Sequence, residues 1–521
     1  TPQQVRAGYG FGALTSSTTT DLGQGQTIVI VDAFDSPTIF NDLTVFSQEF
    51  GLPVPTAQTF EKVYATGVQP SSSTDWNQEI ALDCEWSHAI APDAKIILVE
   101  AATNSTNDLY NAVNVAGNLA ANTAAGGGVV SMSFGADEPT GGTSASPVLG
   151  AQEYELDRIF ESYPTVSFCA ASGDTFGELS YPATSPYVTA VGGTELTLSS
   201  DGSRVLPAET VWHVGTEGSG GGTSAVEPAP VYQQSVLGLA ATAFREVPDV
   251  SFLADPDTGV ATYTTSPDLA GDIGWAEVGG TSLACPMFAA TVALANQVRN
   301  ANNLPVIGNN LNNAIYSMNL NNLGADFNLG GTVGYAAETG WGTPIPSNFI
   351  NDLSLYGTTG STPPLYSLDT NSTGIESSIV LYGSIITPIV GSGQASDDFV
   401  GRGGDSIATG PTTFTLQLEG TDSLGNTQSL SVACTITDLA TGAFTGDLTG
   451  SALYTTPTLP TGDTTAIQFQ GTVTNGPNGG VAVNGSFELV VINADGTVST
   501  VGHEGIDGSG DGDVQGEFQS S

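Results

Sequence analysis

Over residues 1–353, short apolar runs alternate with stretches whose apolar side chains recur every three to four positions. Residues 25–34 form a continuous apolar run rich in β-branched side chains, which predicts a buried strand. Residues 36–51 place their large apolar side chains on one helical face before Gly51, which predicts a helix that ends there. The alternation continues as predicted strands at 93–101, 127–135 and 165–174 and predicted helices at 105–122 and 150–163. We therefore expect an α/β fold, with a parallel sheet flanked by helices on both faces and ligands beyond the carboxyl ends of its strands.

The pattern changes after residue 355. A linker-like STPPLYS stretch is followed by segments in which apolar and polar residues alternate with a period of two. Residues 413–438 alternate in this way on both sides of a polar turn, which predicts a β-hairpin with one buried face. We therefore predict two domains: an α/β domain over 1–355, and an antiparallel, sandwich-like β domain of unknown role over 356–521.

The charge balance of the chain argues against some classes of binding partner. The chain has 53 acidic residues against 8 Lys and Arg, a net charge of -45, yet only 12% of its residues are charged. Such a chain is repelled by nucleic acid and by anionic membranes, and no apolar run is long enough to span a bilayer. Because basic residues are scarce while carboxylates are at an ordinary level, we expect a monomer secreted into an acidic environment. The four cysteines lie in apolar runs and are expected to be buried hydrophobic residues.

The sequence VGGTSLACP at 278–286 places Ser282 at the start of an apolar helix. The free N–H groups and the dipole at such a helix end favour developing negative charge, which suits a nucleophile. A serine at this position is, however, more often only a helix cap. If Ser282 is a nucleophile, it needs a base, and the chain has only three histidines.

Glu79 and Asp83 offer a different base. They lie four residues apart in a helical pattern and therefore share a face, and the residues between them are apolar. Like charges held close together in a dry site cannot both ionise readily, so one pKa rises. The alternative is an ordinary solvated acidic pair. His88 lies out of phase with both carboxyls, and we interpret it as structural.

Asp174 follows a predicted strand within a Ser-Gly-Asp turn, at the carboxyl edge of the sheet. A turn-capping aspartate is one interpretation. The other is that a protonated Asp174 donates a hydrogen bond to an oxyanion, as an amide does in acyl-transfer enzymes that work at neutral pH.

Nine motifs resemble, in content and order, those of the sedolisin family of secreted serine-carboxyl peptidases, which have a subtilisin-like fold. They are TPQQVRAGYGF, TIVIVDAFDSP, EIALDCEWSHAIAPDAKI, SMSFG, AASGD, YPATSPYVTAVGGTEL, GSGGGTSAVEPAPVYQ, VPDVSFLADPDTG and VGGTSLACP. The resemblance implies that Ser282 is the nucleophile, Glu79 its general base, Asp83 the residue that orients Glu79 and Asp174 the oxyanion-binding acid. It also implies protein or peptide substrates, no organic cofactor, and an N-terminal prodomain that is cleaved off.

The resemblance further implies walls that pair with an extended peptide. The wall residues expected from SMSFGA, from Ser180 and from GSGGGTS are Ser131, Phe134, Gly135, Ser180, Gly220, Gly221 and Gly222. Ser180 stands where some relatives carry an acid, so an apolar or broad preference for the P1 side chain is expected. The family's calcium site would have Asp326 as its first ligand, but the closing aspartate is missing here.

Two other functions compete with an endopeptidase. A glycosidase would also use paired carboxylates, but these face each other across a sugar, and neighbours on one helix suit that poorly. A surface or adhesion protein built on a peptidase fold would explain the appended β domain, although all four expected catalytic residue types are present.

Overall fold

The computed structural model describes residues 1–11, 15–16, 19–20, 22–138, 147–240, 243–321, 327–328 and 334–356, together with nine strands between 375 and 518. It divides into two compact units. The first comprises Thr1–Thr143, Leu156–Glu227 and Arg245–Thr359. The second comprises Ser144–Glu155, Pro228–Phe244 and Gly360–Ser521. A separate domain over 356–521 stays a prediction.

The described chain forms helices at the predicted positions 36–51, 105–122 and 150–163 and at the helical patterns of Glu79 and Ser282, together with others that were not predicted. The described helices are α1 (Pro2–Tyr9), α2 (Ile39–Phe50), α3 (Thr74–Ile90), α4 (Thr106–Ala121), α5 (Pro147–Glu161), α6 (Val231–Leu237), α7 (Thr281–Ala301), α8 (Leu311–Asn321) and α9 (Pro346–Leu355). Their ends follow local chemistry. Helix α2 ends at Gly51, which adopts a left-handed φ of 65°, and α4 begins where the Ser105 hydroxyl accepts a hydrogen bond from the Asp108 amide.

The strands before residue 356 are β1 (Thr15–Ser16), β2 (Thr19–Thr20), β3 (Thr27–Ala33), β4 (Phe60–Tyr64), β5 (Lys95–Ala101), β6 (Gly128–Met132), β7 (Ala136–Glu138), β8 (Val166–Ala171), β9 (Leu179–Tyr181), β10 (Val188–Leu198), β11 (Arg204–Val211), β12 (His213–Val214), β13 (Glu217–Gly218), β14 (Gly222–Pro228), β15 (Phe244–Val247), β16 (Val250–Leu253), β17 (Val260–Thr264), β18 (Gly274–Val278), β19 (Phe327–Asn328) and β20 (Thr343–Pro344).

The central sheet has the order β11-β10-β8-β6-β3-β5-β4, and β16 adds to the β10 edge. All its pairings are parallel except that of β10 with β11. Every residue of β3 is buried. On one face of β3, Val29 and Val31 pack in a core with α4; Ile28 and Ile30 point to the other face, where α7 packs. The predicted parallel sheet with helices on both faces is confirmed.

The strands after residue 374 are all antiparallel. They are β21 (Ile375–Ile389), β22 (Gly393–Gly410), β23 (Thr413–Thr421), β24 (Thr427–Asp438), β25 (Ala443–Thr449), β26 (Thr464–Asn475), β27 (Val481–Ile492), β28 (Val498–Thr500) and β29 (Ser509–Phe518). The predicted hairpin is present as β23 and β24, with Phe414 opposite Cys434. The hydrogen-bonded ladder runs β26-β25-β24-β23-β22-β21-β29-β27 and closes through the pairing of β26 with β27. The strands are thus linked in one closed ladder, where the sequence pattern indicated two stacked sheets.

Candidate active site

Helix α3 carries the predicted general base and the carboxyl group predicted to orient it into the interior of the protein. Glu79 and Asp83 lie one turn apart on this helix, which packs against α7, and Asp83 is fully buried. The helix is buried along most of its length because the residues around the two acids are apolar. The predicted shared face is therefore present, and it points into the protein rather than to solvent.

Ser282 lies in the first turn of α7, and its hydroxyl donates a hydrogen bond to the Glu79 carboxylate. Each of the two positions before Thr281 requires glycine, for a different structural reason. Gly280 has a φ of 97°, and a Cβ at Gly279 would lie 2.3 Å from the Ala254 carbonyl oxygen. This tight turn brings the hydroxyl at the start of α7 to the carboxylate on α3.

Ser133 joins the two helices, a role that the sequence pattern did not indicate. Its hydroxyl oxygen lies 3.0 Å from Asp83 Oδ1, to which it donates, and 3.3 Å from the Ser282 carbonyl oxygen. Ser133 directly follows β6 at the carboxyl edge of the sheet, where ligand-facing residues gather. It therefore holds Asp83 and the backbone of the nucleophile in one arrangement.

Asp32 is a further carboxyl that the sequence analysis missed. It lies near the carboxyl end of β3 and is fully buried, and neither of its carboxyl oxygens has a hydrogen-bond partner among the described residues. Its charge acts on both Glu79 and Asp83. The signal was present in the sequence: an acid ends an apolar strand, and the period of two puts it on the same face as Ile28 and Ile30, toward α7.

Asp32, Glu79 and Asp83 share protons rather than ionising together. Burial, and then the charge of Asp32, raises the pKa of Glu79 to about 8, although the Ser282 hydrogen bond acts in the other direction. Burial raises the pKa of Asp32 to about 7, and burial together with its two neighbours raises the pKa of Asp83 well above its usual range. Because each added charge repels the others, the cluster carries fewer charges than carboxyls in mildly acidic solution.

Asp174, the candidate oxyanion-binding acid, lies beside the start of α7. Its Oδ1 accepts hydrogen bonds from the Thr281 amide and the Thr281 hydroxyl, each 2.7 Å long. Its Oδ2 lies next to Gly280, because a Cβ there would be 2.8 Å from this oxygen. One carboxyl oxygen is thus fixed to the helix start, and the other is placed near Ser282.

Most of the predicted wall residues lie in two segments around this site. A Cβ at Gly135 would lie 2.0 Å from Ser180 Oγ, so the two residues are in contact, and Phe134 packs edge-on against Tyr110. On the other side, the Gly220 amide donates to the Gly173 carbonyl oxygen (2.8 Å).

Gly221 and Gly222 continue the second segment. The Gly221 amide donates to the Glu178 carbonyl oxygen at 2.9 Å, and Gly222 begins β14. Ser131 differs from the other wall residues, since it is fully buried and its Oγ lies 3.4 Å from Cys285 Sγ. Its side chain therefore packs beneath the site and has no exposed surface to offer a peptide.

The other candidate residues are buried or lie outside the described residues. His88 Nε2 lies 2.7 Å from the Pro53 carbonyl oxygen, and burial lowers the pKa of this imidazole to about 4, in keeping with a structural role. Cys84, Cys169 and Cys285 are buried free thiols. Asp326 lies outside the described residues, and within them no group of three or more His, Cys, Asp or Glu side chains could hold a metal ion. No described helix has the length and apolar character needed to cross a membrane.

Replacing Ser133 by alanine tests the bridge between the helices. Loss of its hydroxyl removes the hydrogen bond that favours the charged form of Asp83, so the pKa of Asp83 should rise further. We expect kcat for peptide hydrolysis to fall about tenfold, with a smaller change in KM. Ser167→Ala is the matched control, because that buried serine on β8 donates instead to the carbonyl oxygen of Gly308, in the 3-10 turn Gly308–Asn310. Equal activity in the two variants would contradict the role of Ser133.

Comparisons with known proteins agree with this geometry. Residues 74–330 match the profile of the subtilase family. The chain is 31% identical over 291 residues to kumamolisin from Bacillus sp. (strain MN-32), which covers 53% of this chain and 49% of that protein. It is 36% identical over 180 residues to sedolisin from Pseudomonas sp. (strain 101), which covers 33% of this chain and 28% of that protein. The alignments thus span about half or less of these curated relatives.

A solved structure of Pseudomonas sedolisin, a serine-carboxyl proteinase complexed with two molecules of pseudo-iodotyrostatin, superimposes with a TM-score of 0.54 at 25% identity. The match covers 68% of this chain and 98% of the sedolisin chain. The profile match over residues 74–330 includes α3, α7 and all four predicted catalytic residues. Over this region the chain is similar to the sedolisin family, and it has a subtilisin-like fold.

Proposed function

We propose that the protein is a serine-carboxyl endopeptidase that acts in acidic solution outside the cell. The observation that carries this proposal is the hydrogen bond from the Ser282 hydroxyl to Glu79, in the position where a serine peptidase needs its base. The two described histidines are engaged elsewhere: His88 with Pro53, and His213 in a stack on the Phe176 ring. A carboxylate therefore takes the role of the usual imidazole.

The acylation step follows from these positions. Ser282 Oγ attacks the scissile carbonyl carbon, and its proton passes to Glu79 as the C–O bond forms. The carbonyl oxygen becomes an oxyanion and accepts a hydrogen bond from protonated Asp174, whose Oδ2 lies beside Gly280. When the C–N bond breaks, Glu79 returns the proton to the leaving amine, and the acyl group stays on Ser282. Water then attacks this ester by the same route in reverse.

Asp83 and Asp32 act on the basicity of Glu79 rather than on the substrate. Both are buried, and their charges make it unfavourable for Glu79 to remain ionised once they are ionised themselves. In acidic solution the cluster is largely protonated, and catalysis proceeds through the molecules in which Glu79 is ionised. A proton accepted from Ser282 then neutralises that charge, and Ser133 keeps Asp83 in place throughout.

The substrate we propose is an extended polypeptide. The segment of Phe134 and Gly135 leaves the site on one side, and Gly220 to Gly222 approach it on the other. Backbone on both sides suits pairing with a peptide strand, whose main-chain groups give affinity independent of sequence. The charge balance of the chain and the family's secreted members support work in an acidic extracellular medium.

A peptide aldehyde tests the proposed nucleophile directly. Its carbonyl accepts a serine oxygen and forms a hemiacetal that resembles the tetrahedral intermediate. We expect time-dependent, reversible inhibition at about pH 4 and a hemiacetal that a crystal structure of the inhibited enzyme places on Ser282. Ser282→Ala should form no adduct, whereas Thr291→Ala, a change within the same helix, should form it normally. An adduct on another residue would refute the proposal.

A further inference from the structure

Three extended segments lie side by side where the peptide is proposed to bind. Strand β7 pairs with β9, so that Asp137 is opposite Ser180 and Glu138 is opposite Leu179. On the other side of β9, the Gly221 amide donates to the Glu178 carbonyl oxygen. The wall that follows Ser133 in the chain and the wall that flanks Asp174 therefore lie on opposite sides of β9.

Glu138 is the side chain that connects the two outer segments. It is 3% exposed, and its Oε1 accepts hydrogen bonds from the amides of Ala225 (3.0 Å) and Val226 (2.9 Å) and from the hydroxyl of Ser224. All three donors belong to β14, which begins at Gly222. A single carboxyl oxygen at the end of β7 thus holds the start of β14 in place.

These hydrogen bonds are costly to lose. Ala225 and Val226 are buried, and removing the acceptor would take from the Ala225 amide its hydrogen bond in a dry environment, whereas the Val226 amide also donates to Ser224 Oγ at 3.0 Å. Burial raises the pKa of Glu138, although hydrogen bonds from four surrounding groups lower it. A carboxyl placed against strong donors and enclosed by protein is a rigid connection.

We propose that Glu138 is a positioning residue for substrate binding, which ties β14 to β7 and so holds the two walls, on either side of β9, in the arrangement that an extended peptide binds. This inference rests on the proposed peptidase function. Glu138 touches neither Ser282 nor Glu79 in the described contacts, so it acts on the affinity for extended substrates and not on the chemical step. Backbone pairing of β7 with β9 and the Gly221–Glu178 hydrogen bond already join the walls, and Glu138 adds a side-chain link where the glycines at 135 and 220–222 offer none.

The experiment separates binding from chemistry. Wild type, Glu138→Ala and Glu138→Gln are assayed at about pH 4 with a peptide that spans several residues on both sides of the cleaved bond. In Glu138→Ala we expect KM to rise about tenfold and kcat to change less than about threefold. Glu138→Gln keeps an oxygen acceptor at the same position and should recover most of the lost affinity.

A small phosphonylating or sulfonylating reagent serves as the second measurement, because it needs Ser282 and its base but not the walls. Its rate of reaction with Ser282 should agree within about twofold between wild type and Glu138→Ala. Glu195→Ala, at an exposed glutamate on β10, is the matched control for the loss of an acidic side chain. If wild type itself neither cleaves peptides nor reacts with the reagent, the peptidase function fails rather than this inference.

Three results would overturn the inference: an unchanged KM in Glu138→Ala, an equal defect in Glu138→Gln, or a parallel loss of the reagent's reaction. Should Glu138→Ala fail to fold, Ser224→Ala removes one of the three donors and leaves the carboxyl in place. That variant should raise KM about threefold with kcat preserved, and an unchanged KM there would also overturn the inference.

Discussion

Glu79→Gln is expected to lower kcat for peptide hydrolysis by about 10³-fold or more, with a much smaller change in KM. Glutamine keeps the size of the side chain and can still accept a hydrogen bond from Ser282, but it cannot accept the proton. The loss should therefore lie in the chemical step, and it should approach the loss in Ser282→Ala because the two residues act as a unit. Steady-state kinetics at about pH 4 measure it.

Glu85→Gln provides a matched control on the same helix. Glu85 is as buried as Asp83, but its Oε2 accepts a hydrogen bond from the Tyr263 amide, away from Ser282. Burial also raises its pKa well above the usual range, so a general effect of removing a buried acid from α3 would appear here too. We expect its kcat to stay within about threefold of wild type. Equal activity of Glu79→Gln and Glu85→Gln would exclude Glu79 as the base.

The part of the site that could be predicted came from local patterns. The spacing of Glu79 and Asp83 predicted one helical face, and the apolar run after Ser282 predicted the helix that begins there; both features depend on residues close in sequence. Asp32 and Ser133 required knowledge of the order of strands. The pairing of Val31 with Met132 brings their neighbours to one edge of the sheet, and no local pattern contains that pairing.

The less accurate predictions concern features that depend on the three-dimensional arrangement of the strands. Ser131 was expected in a wall because its neighbours are, but strand residues alternate between faces, and its side chain points down to Cys285. In the C-terminal strands the alternation correctly predicted antiparallel hairpins, yet it cannot distinguish two stacked sheets from one ladder that closes through β26 and β27. That difference lies in which distant strands meet.

The stability of the first unit is expected to fall as pH rises from about 4 to about 8, the reverse of the usual acid denaturation. Asp32 and Glu79 have folded pKa values raised to about 7 and about 8, from ordinary values of 3.8 and 4.5, and burial raises the pKa of Glu100 to about 9. Below about pH 4 these groups are protonated in both states. Above it the unfolded chain loses protons that the folded chain keeps, so stability declines up to the folded pKa values. The low pKa of buried His88 acts in the opposite direction, but it is one group.

Asp32→Asn tests how much of this pH dependence comes from the carboxyl cluster and how much from the rest of the chain. Asparagine removes a charge that has no described hydrogen-bond partner, and its neighbours Glu79 and Asp83 lose a source of repulsion. We expect a gain of about 2 kcal/mol in the free energy of unfolding near neutral pH, little gain near pH 4, and hence a shallower slope. Glu195→Gln, at an exposed position, should leave the slope unchanged.

Tryptophan fluorescence in urea is the suitable measurement, because all five tryptophans lie in the first unit and report its unfolding separately. Measuring in the Ser282→Ala background prevents self-digestion from distorting the transition. Equal slopes with and without Asp32 would mean that this carboxyl does not share protons with Glu79 and Asp83. In that case the repulsion that makes Glu79 a stronger base would have to come from Asp83 and Asp174 alone, and Asp32→Asn should then leave the pH profile of kcat unchanged as well.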